Sequence, residues 1–293
     1  MVQDIFLKRT LNVIRNVDKF LKKPEENYLH EIRTESRKLE SLFMTLGELS
    51  GSKEYKEYLR KLKQLIRLFS PSRETDVCIQ ITEEYLKFKT DNSLVIKFLD
   101  NLKTLSVEQR RRIFVNKKLV DFLLSKATLE DFIRNKMFSS AGEITPEKVS
   151  KYLGVQVCFL YDKMMIYKDD VLSGPENMKQ LHKMRLRAKP LRYTLDFLNE
   201  VLGLRLSDVG NKIKTMVALA GEIHDYDMVI DKAEKFESLA RQYQNDDTDK
   251  DSDSSVSVFI NHLKNKRFQD YTKFKSLVLE IDSEKDKQGF III

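Results

Sequence analysis

Residues 29–39 read LHEIRTESRKL and residues 181–191 read LHKMRLRAKPL, so one His-x-x-Arg-x-x-x-(Arg/Lys) pattern occurs twice, 152 positions apart. A second pair of segments, SPSRETDV at 70–77 and GEIHDYDM at 221–228, aligns at an offset of 151. Two separate matches in nearly the same register are typical of an internal repeat, which decides the architecture of a chain. The sequence therefore predicts two related halves.

The composition around these segments favours helices. Hydrophobic residues make up 41% and charged residues 33% of the 293 residues, while glycines and prolines number only 9 and 5. Leu, Lys and Glu are strong helix formers, whereas Gly and Pro interrupt helices. We predict an all-α protein made of helical bundles. Interruptions are expected at Pro24 and at residues 70–72, 142–146, 174–175 and 207–210.

The repeat also sets the domain boundaries. We place the first helical half at residues 1–140, the second at 145–285 and a C-terminal tail at 286–293. Residues 245–255 read NDDTDKDSDSS and contain nothing apolar to bury, which predicts a solvated, disordered loop. The tail ends in GFIII and is interpreted either as a short extended segment or as a hydrophobic strap on the helices.

The charge balance points to a polyanionic partner. The chain carries a net charge of +7 and the acidic loop contributes −4, so the rest carries +11. Such a surface attracts nucleic acid, anionic membranes or phosphate chains. No stretch reaches the ~18 apolar residues of a spanning helix, so we expect a cytoplasmic protein with no membrane partner. Cys78 and Cys158 fit no metal or redox spacing and are expected to be packed, unlinked thiols.

Each copy of the repeated helix has a basic face. At ~100° per residue, His30, Arg33 and Arg37 fall at about 0°, 300° and 340°. His182, Arg185 and Lys189 occupy the same angles in the second helix, where Arg192 extends the face. The opposite face is apolar, so the basic face is expected to look away from the core, into solvent or a groove. The matched apolar residues are Ile32, Leu39, Phe43 and Leu46 in the first helix and Met184, Leu191, Leu195 and Leu198 in the second.

The charge of the second copy indicates an anionic ligand. Between Asn177 and Leu195 there are six basic residues and not one acidic residue, although a solvated helix face ordinarily mixes both signs. Guanidinium groups donate paired hydrogen bonds to phosphate, and ammonium groups add point charge. Histidine beside a polyanion gains a proton, so binding should be tighter at mildly acidic pH.

At these residues the sequence resembles the conserved histidine α-helical domain (CHAD) family. The resemblance is carried by the two H-x-x-R-x-x-x-[RK] helices, by Leu191-Arg192-Tyr193, and by the stretches 73–76 and 224–227, which are interpreted as turns. It implies two helical bundles, related by a pseudo-two-fold axis, around a central basic channel that binds inorganic polyphosphate. Some CHAD domains are fused to a triphosphate-tunnel enzyme marked by an early Glu-x-Glu-x-Lys strand. That motif is not found here, so the module is expected to stand alone.

The resemblance also implies which residues bind. Two positions depart from the family pattern, because Glu40 stands where an arginine is usual and Pro190 replaces a basic residue. Asp76 and Asp227 are expected to cap helices or to pair with arginines of the basic faces. The residues that the resemblance places across the channel from one another are His30, Arg33, Arg37, Lys38, Lys63 and Arg67 of the first half and His182, Arg185, Lys189, Arg192 and Lys214 of the second.

Other functions remain open. Single-stranded nucleic acid also needs a basic groove, but such sites interleave aromatic residues that stack on bases, and here only Tyr193 lies at the edge of a basic face. A metal-dependent phosphohydrolase would need clustered carboxylates, and Glu31 and Glu35 fall off the basic face. A face that only keeps the bundle soluble is the simplest alternative. We expect a polyphosphate-binding module, associated with polyphosphate granules, that is not an enzyme and needs no cofactor or metal.

Overall fold

The computed structural model describes residues 2–89, 92–139, 145–203, 205–243, 255–288 and 291–292. The prediction of an all-α fold is confirmed, since helices form nearly all of this part of the chain. A π-helical turn, Phe132–Lys136, continues α6, and two strands of two residues each complete the structure. The helices are α1 (Val2–Lys22), α2 (Glu26–Leu46), α3 (Tyr55–Leu86), α4 (Ser93–Val115), α5 (Lys117–Leu123), α6 (Lys126–Asp131), α7 (Pro146–Met165), α8 (Lys168–Ser173), α9 (Met178–Leu202), α10 (Asp208–Tyr243) and α11 (Ser255–Gln288).

Local signals in the sequence set several helix ends. The Thr145 side chain accepts a hydrogen bond from the Lys148 amide, and Pro146 follows at the first helical position, where a missing N–H costs little. The Asn92 side chain caps α4 in the same way. Gly203, with a φ of 62°, ends α9 in the left-handed conformation that glycine adopts without steric cost.

The helices of the two predicted halves pack in the same order. Helix α1 lies on α2 as α7 lies on α9, and α3 packs against α4 as α10 packs against α11. Across the middle of the molecule, α2 contacts α9, α3 contacts α10 and α4 contacts α11. An internal duplication predicts this correspondence. This packing places the two repeated basic helices, α2 and α9, side by side.

Two clusters of buried side chains hold the helices together. The larger cluster joins the first three helices to α7, α9 and α10, and all eight apolar residues predicted from the repeat lie within it. The smaller cluster joins α3, α4, α10 and α11 around Phe98 and Phe259, which are 1% and 0% exposed. Truncating such a phenylalanine to alanine typically costs about 3–5 kcal/mol, so these clusters strongly stabilise the packing of the helices.

The predicted interruption at residues 70–72 is wrong, because α3 continues through Pro71. The proline ring lies on the exposed side of the helix, and the Ser70 hydroxyl donates a 2.8 Å hydrogen bond to the Ile66 carbonyl oxygen. The interpretation of 73–76 and 224–227 as turns is also wrong, since both stretches lie inside helices, α3 and α10. Burial of long apolar faces on both sides outweighs the local cost of a proline.

At the C-terminus, α11 continues to Gln288, past the predicted start of the tail. Strand β2 (Ile291–Ile292) pairs antiparallel with β1 (Arg205–Leu206), so the extended interpretation holds for these two residues. Of the predicted acidic loop at 245–255, only Ser255 falls within the described residues, where it begins α11.

The two cysteines differ in their surroundings. Cys78 is buried as expected, but the expectation is wrong for Cys158, which is an exposed free thiol on α7. In the described ranges, no helix is both long enough and apolar enough to cross a membrane.

Candidate anion-binding site

Helices α2, α9 and α10 enclose a pocket of about 230 Å³, which we call the basic pocket. Positions three or four residues apart share one side of a helix, so each repeated motif turns its cations to the same side. Two carboxylates, Glu222 and Asp225 of α10, complete the polar lining. The basic side chains that line the pocket are His30, Arg33 and Arg37 of α2 and Arg185, Lys189 and Arg192 of α9.

Three of these cations form no direct ion pair with any carboxylate of the described residues. Arg33, Arg185 and Lys189 form no ion pair or side-chain hydrogen bond within the described part of the chain. Arg185 is only 6% exposed, and its Nε is buried without an acceptor. The basic face was expected to point into solvent or a groove. It lines the basic pocket, where nearly the whole Arg185 side chain is buried. A buried guanidinium with open donors is costly unless an anion satisfies it.

The positive charges of the basic pocket lie close together and shift the pKa values of its side chains. Burial, together with the charges of Arg185, Arg33 and Arg37, lowers the pKa of Lys189 to about 7. Burial and the same kind of repulsion lower the pKa of Arg185. Asp225 is the carboxylate that faces these groups, and burial raises its pKa although the neighbouring cations act in the opposite direction. The basic pocket therefore holds its positive charges at a cost that a bound anion would remove.

A groove of about 540 Å³ between α1, α2 and α9 adjoins the basic pocket and shares His30 and Arg192 with it. We call it the adjoining groove. Its cations are already paired within the protein. Arg9 of α1 donates to Glu35 at 2.9 Å and also pairs with Glu200, and Lys38 lies 3.3 Å from Glu35. The unpaired positive charge is thus concentrated in the basic pocket.

Three histidines lie close to these cations. His30 lines both the pocket and the groove, and burial and the charge of Arg73 lower its pKa. His182 does not line the basic pocket, but its ring centre lies 5.0 Å from that of His224. Burial, then the charges of Arg185 and His182, lower the pKa of His224 to about 3. The pair therefore joins α9 to α10 close to Arg185.

The remaining residues named from the sequence lie farther out. Lys63 is half-buried and Arg67 exposed on α3, and neither lines the basic pocket. Lys214 forms an ion pair of 2.5 Å with Asp196, which lines the adjoining groove. Glu40, at the position where the family usually has arginine, accepts a 2.8 Å hydrogen bond from Arg37.

The aspartates of the supposed turns have other roles than those expected. Asp76 accepts hydrogen bonds from Ser106 at 3.0 Å and Arg110 at 2.9 Å, so it joins α3 to α4. Asp227 accepts from Arg267 of α11 at 2.5 Å. Among the described residues, neither caps a helix nor pairs with an arginine of the basic faces, because each is turned towards the neighbouring long helix of its own half.

Sequence reasoning missed two groups at the site. Asp225 stands in the repeated segment 221–228, so that repeat could have marked it as a site residue, but the alignment drew attention to Asp227 instead. Arg9 and its partner Glu200 are separated by 191 positions, and no motif connects them. The fold brings the two side chains together, which no local sequence pattern predicts.

Comparisons with known proteins bear on the fold. A model of the CHAD domain matches residues 5–234, from α1 into α10. The chain is similar to the crystal structure of the CHAD domain from the plant Ricinus communis, with a TM-score of 0.67 and 14% sequence identity over 95% of this chain and 91% of that chain. At this identity the likeness shows the fold alone. No curated protein matches the sequence.

Proposed function

The chain belongs to the CHAD domain family, and from that premise we propose that it binds inorganic polyphosphate in the basic pocket without acting on it. The observation that carries the proposal is the convergence of five Arg and Lys side chains from α2 and α9, three of them without a carboxylate partner among the described residues. A polymer with one negative charge at every unit suits such a pocket. Guanidinium donors match phosphate oxygens in pairs.

The residues named from the sequence divide into two groups under this proposal. Those that line the basic pocket make direct contacts with phosphate, and Lys38 extends the path into the adjoining groove. The remaining residues attract the polymer electrostatically without contacting it. They are His182, Lys63, Arg67 and Lys214. The predicted duplication, with halves at 1–140 and 145–285, would supply one basic helix from each half to a central channel.

Polyphosphate fits the lining better than single-stranded nucleic acid does. Proteins that bind single strands stack bases on successive aromatic side chains. Tyr193 is the one aromatic side chain among the residues that line the basic pocket, and burial raises its pKa. If the protein instead binds single-stranded nucleic acid, RNA should compete effectively with polyphosphate. A competition experiment therefore distinguishes the two functions.

A double variant tests the location of the site. Arg33→Ala with Arg185→Ala removes two unpaired pocket cations and should weaken the binding of long-chain polyphosphate at least about a hundredfold, given roughly 1.5–3 kcal/mol for each charged hydrogen bond. The matched control is Arg60→Ala with Arg187→Ala, since both residues are exposed and line neither the pocket nor the groove. Isothermal titration gives the affinities, and circular dichroism shows whether helix content is kept. Wild-type affinity in the pocket variant, or an equal loss in the control, would contradict the proposal.

Binding without catalysis is tested separately. The protein is incubated with polyphosphate and millimolar Mg²⁺ or Mn²⁺, and released orthophosphate is measured over hours. We expect no release above that of the Arg33→Ala, Arg185→Ala variant. Release by the wild type alone would make the protein a phosphohydrolase.

We further propose that the protein works in the cytoplasm at polyphosphate granules. A fluorescent fusion should co-localise with granules, and the pocket variant should not. Diffuse fluorescence of both proteins would contradict this location.

A further inference from the structure

A second and larger cavity lies between α3, α10 and α11. Its volume is about 580 Å³, within the range of roughly 300–1,000 Å³ that is usual for small-molecule sites. Four aromatic rings line it: Tyr85 of α3, Phe88 just beyond the end of α3, Tyr226 of α10 and His262 of α11. It touches the basic pocket only through Glu222 and Asp225, which line both. We call this cavity the aromatic cleft.

The outer end of the aromatic cleft is positive. Lys89 and Lys266 lie beside His262, and after burial their charges are the largest causes that lower the pKa of this histidine. Neither lysine forms an ion pair in the part of the chain that the structure describes. Phe88, which is 83% exposed, stands at this mouth.

The far end is negative. Glu222 and Asp225 flank Tyr226 there, and burial together with nearby carboxylates raises the pKa of the tyrosine. Arg73 also reaches this end, but it is paired at 2.7 Å with Glu26. Glu84 is exposed and lies between the two ends, since its charge acts on both His262 and Tyr226. The cleft therefore has a positive mouth, an aromatic middle and a far end that carries two carboxylates.

We propose that the aromatic cleft binds a purine nucleoside monophosphate, with guanine as the preferred base. A planar base would stack against the aromatic walls. The phosphate would lie between Lys89 and Lys266 at the mouth. Glu222 and Asp225 at the far end accept hydrogen bonds, and the N1–H and 2-amino groups of guanine present two adjacent donors to one carboxylate.

Other ligand classes fit this lining less well. A wholly apolar molecule would desolvate the lysines and carboxylates without pairing them. Free phosphate would leave the aromatic walls unused, and a longer phosphate chain would meet the carboxylates at the far end. A nucleotide satisfies all three regions of the cleft.

Isothermal titration of the full chain with guanosine monophosphate tests the proposal, with inosine monophosphate and guanosine as comparison ligands. Inosine monophosphate lacks only the 2-amino group and should bind about tenfold more weakly, the discrimination typical of one paired base contact. Guanosine lacks the phosphate and should also bind more weakly. Absence of saturable binding at millimolar guanosine monophosphate, or equal affinity for all three ligands, would overturn the proposal.

Phe88→Ala assigns the binding to this cleft. Because the side chain is exposed, the substitution should not affect folding, and loss of one stacking contact should weaken binding about tenfold. Phe268→Ala is the matched control, since Phe268 is 57% exposed on α11 and does not line the cleft. Equal affinities of the two variants would place the nucleotide elsewhere and overturn the assignment. Polyphosphate binding should be unchanged in both, so this test is independent of the proposed function.

Discussion

Arg185 is a charged side chain that is buried at a cost to the stability of the folded protein. Its guanidinium is 6% exposed, faces Arg33 and Arg37, and has a lowered pKa because of burial. A charge in this position is retained at the expense of the folded state unless a ligand pairs with it. The residue is therefore suited to an anion and poorly suited to a purely structural role.

Arg185→Met separates these two effects, because methionine keeps much of the length without the charge. We expect the unfolding free energy to stay the same or to rise by about 1–2 kcal/mol, while the dissociation constant for polyphosphate rises about tenfold or more. Chemical denaturation and titration measure the two quantities. Arg187→Met, on the exposed side of α9, is the control and should change neither. A marked loss of stability in Arg185→Met would show that the arginine is structural.

Lys189 should make polyphosphate binding depend on pH. Its pKa is lowered to about 7 in the free protein, and a bound polyanion raises it, so binding takes up a proton. Affinity should then increase as the pH falls towards 7, with little further gain from this residue below that pH. Lys189→Arg keeps its charge throughout and should flatten the dependence between about pH 7 and 9. Titrations across this range measure the slopes, and parallel curves for the two proteins would contradict the prediction.

At the scale of single residues, part of the basic pocket could be predicted from the sequence. Helical periodicity identified Arg33, Arg37, Arg185 and Lys189, because residues on one face of one helix are determined locally. The carboxylate of Asp225 and the Arg9–Glu200 pair come from other helices. Their positions depend on how helices pack, which a single-sequence pattern does not contain.

At the scale of the helix, Pro71 is a locally unfavourable residue inside α3. Proline cannot donate to the carbonyl one turn earlier, so α3 lacks one hydrogen bond there. The helix continues because residues on both sides of the proline are buried, Phe69 at 2% exposure and Cys78 at 0%. Sequence reasoning gave too much weight to the breaker and too little to the packing of the whole helix.

Pro71→Ala should consequently stabilise the protein. The proline ring is exposed, so its removal opens no cavity, and the regained hydrogen bond and helix propensity should add about 1–3 kcal/mol to the unfolding free energy. Urea denaturation measures the change. Polyphosphate affinity should be unaffected, because Pro71 does not line the basic pocket. Destabilisation would mean that α3 requires the proline in its present geometry.

The whole molecule follows the order of packing that the repeat predicts. Helices α2 and α9 meet in the middle, where their apolar faces enter the main core and their basic faces line one pocket. The all-α fold and the apolar faces were predictable, because both follow from composition and periodicity. The aromatic cleft was not, since its walls come from three helices and no motif marks them.

Binding should depend strongly on salt if the pocket acts as an electrostatic site. With five Arg and Lys side chains at the pocket, the log–log slope of affinity against salt should be about −3.5, taking roughly −0.7 for each contact with a single-stranded polyanion. Titrations between about 50 and 300 mM NaCl give the slope. In the Arg33→Ala, Arg185→Ala variant, the magnitude of this slope should be smaller by about 1.4. A slope near zero would show that the cations of the pocket do not contact the ligand.

The most direct test of the central claim is a competition titration at near-physiological salt. Long-chain polyphosphate is titrated into the purified protein by calorimetry, first alone and then in the presence of single-stranded RNA of matched total charge. The account predicts tight binding that RNA does not displace. Displacement by RNA, or no binding of polyphosphate, would contradict it.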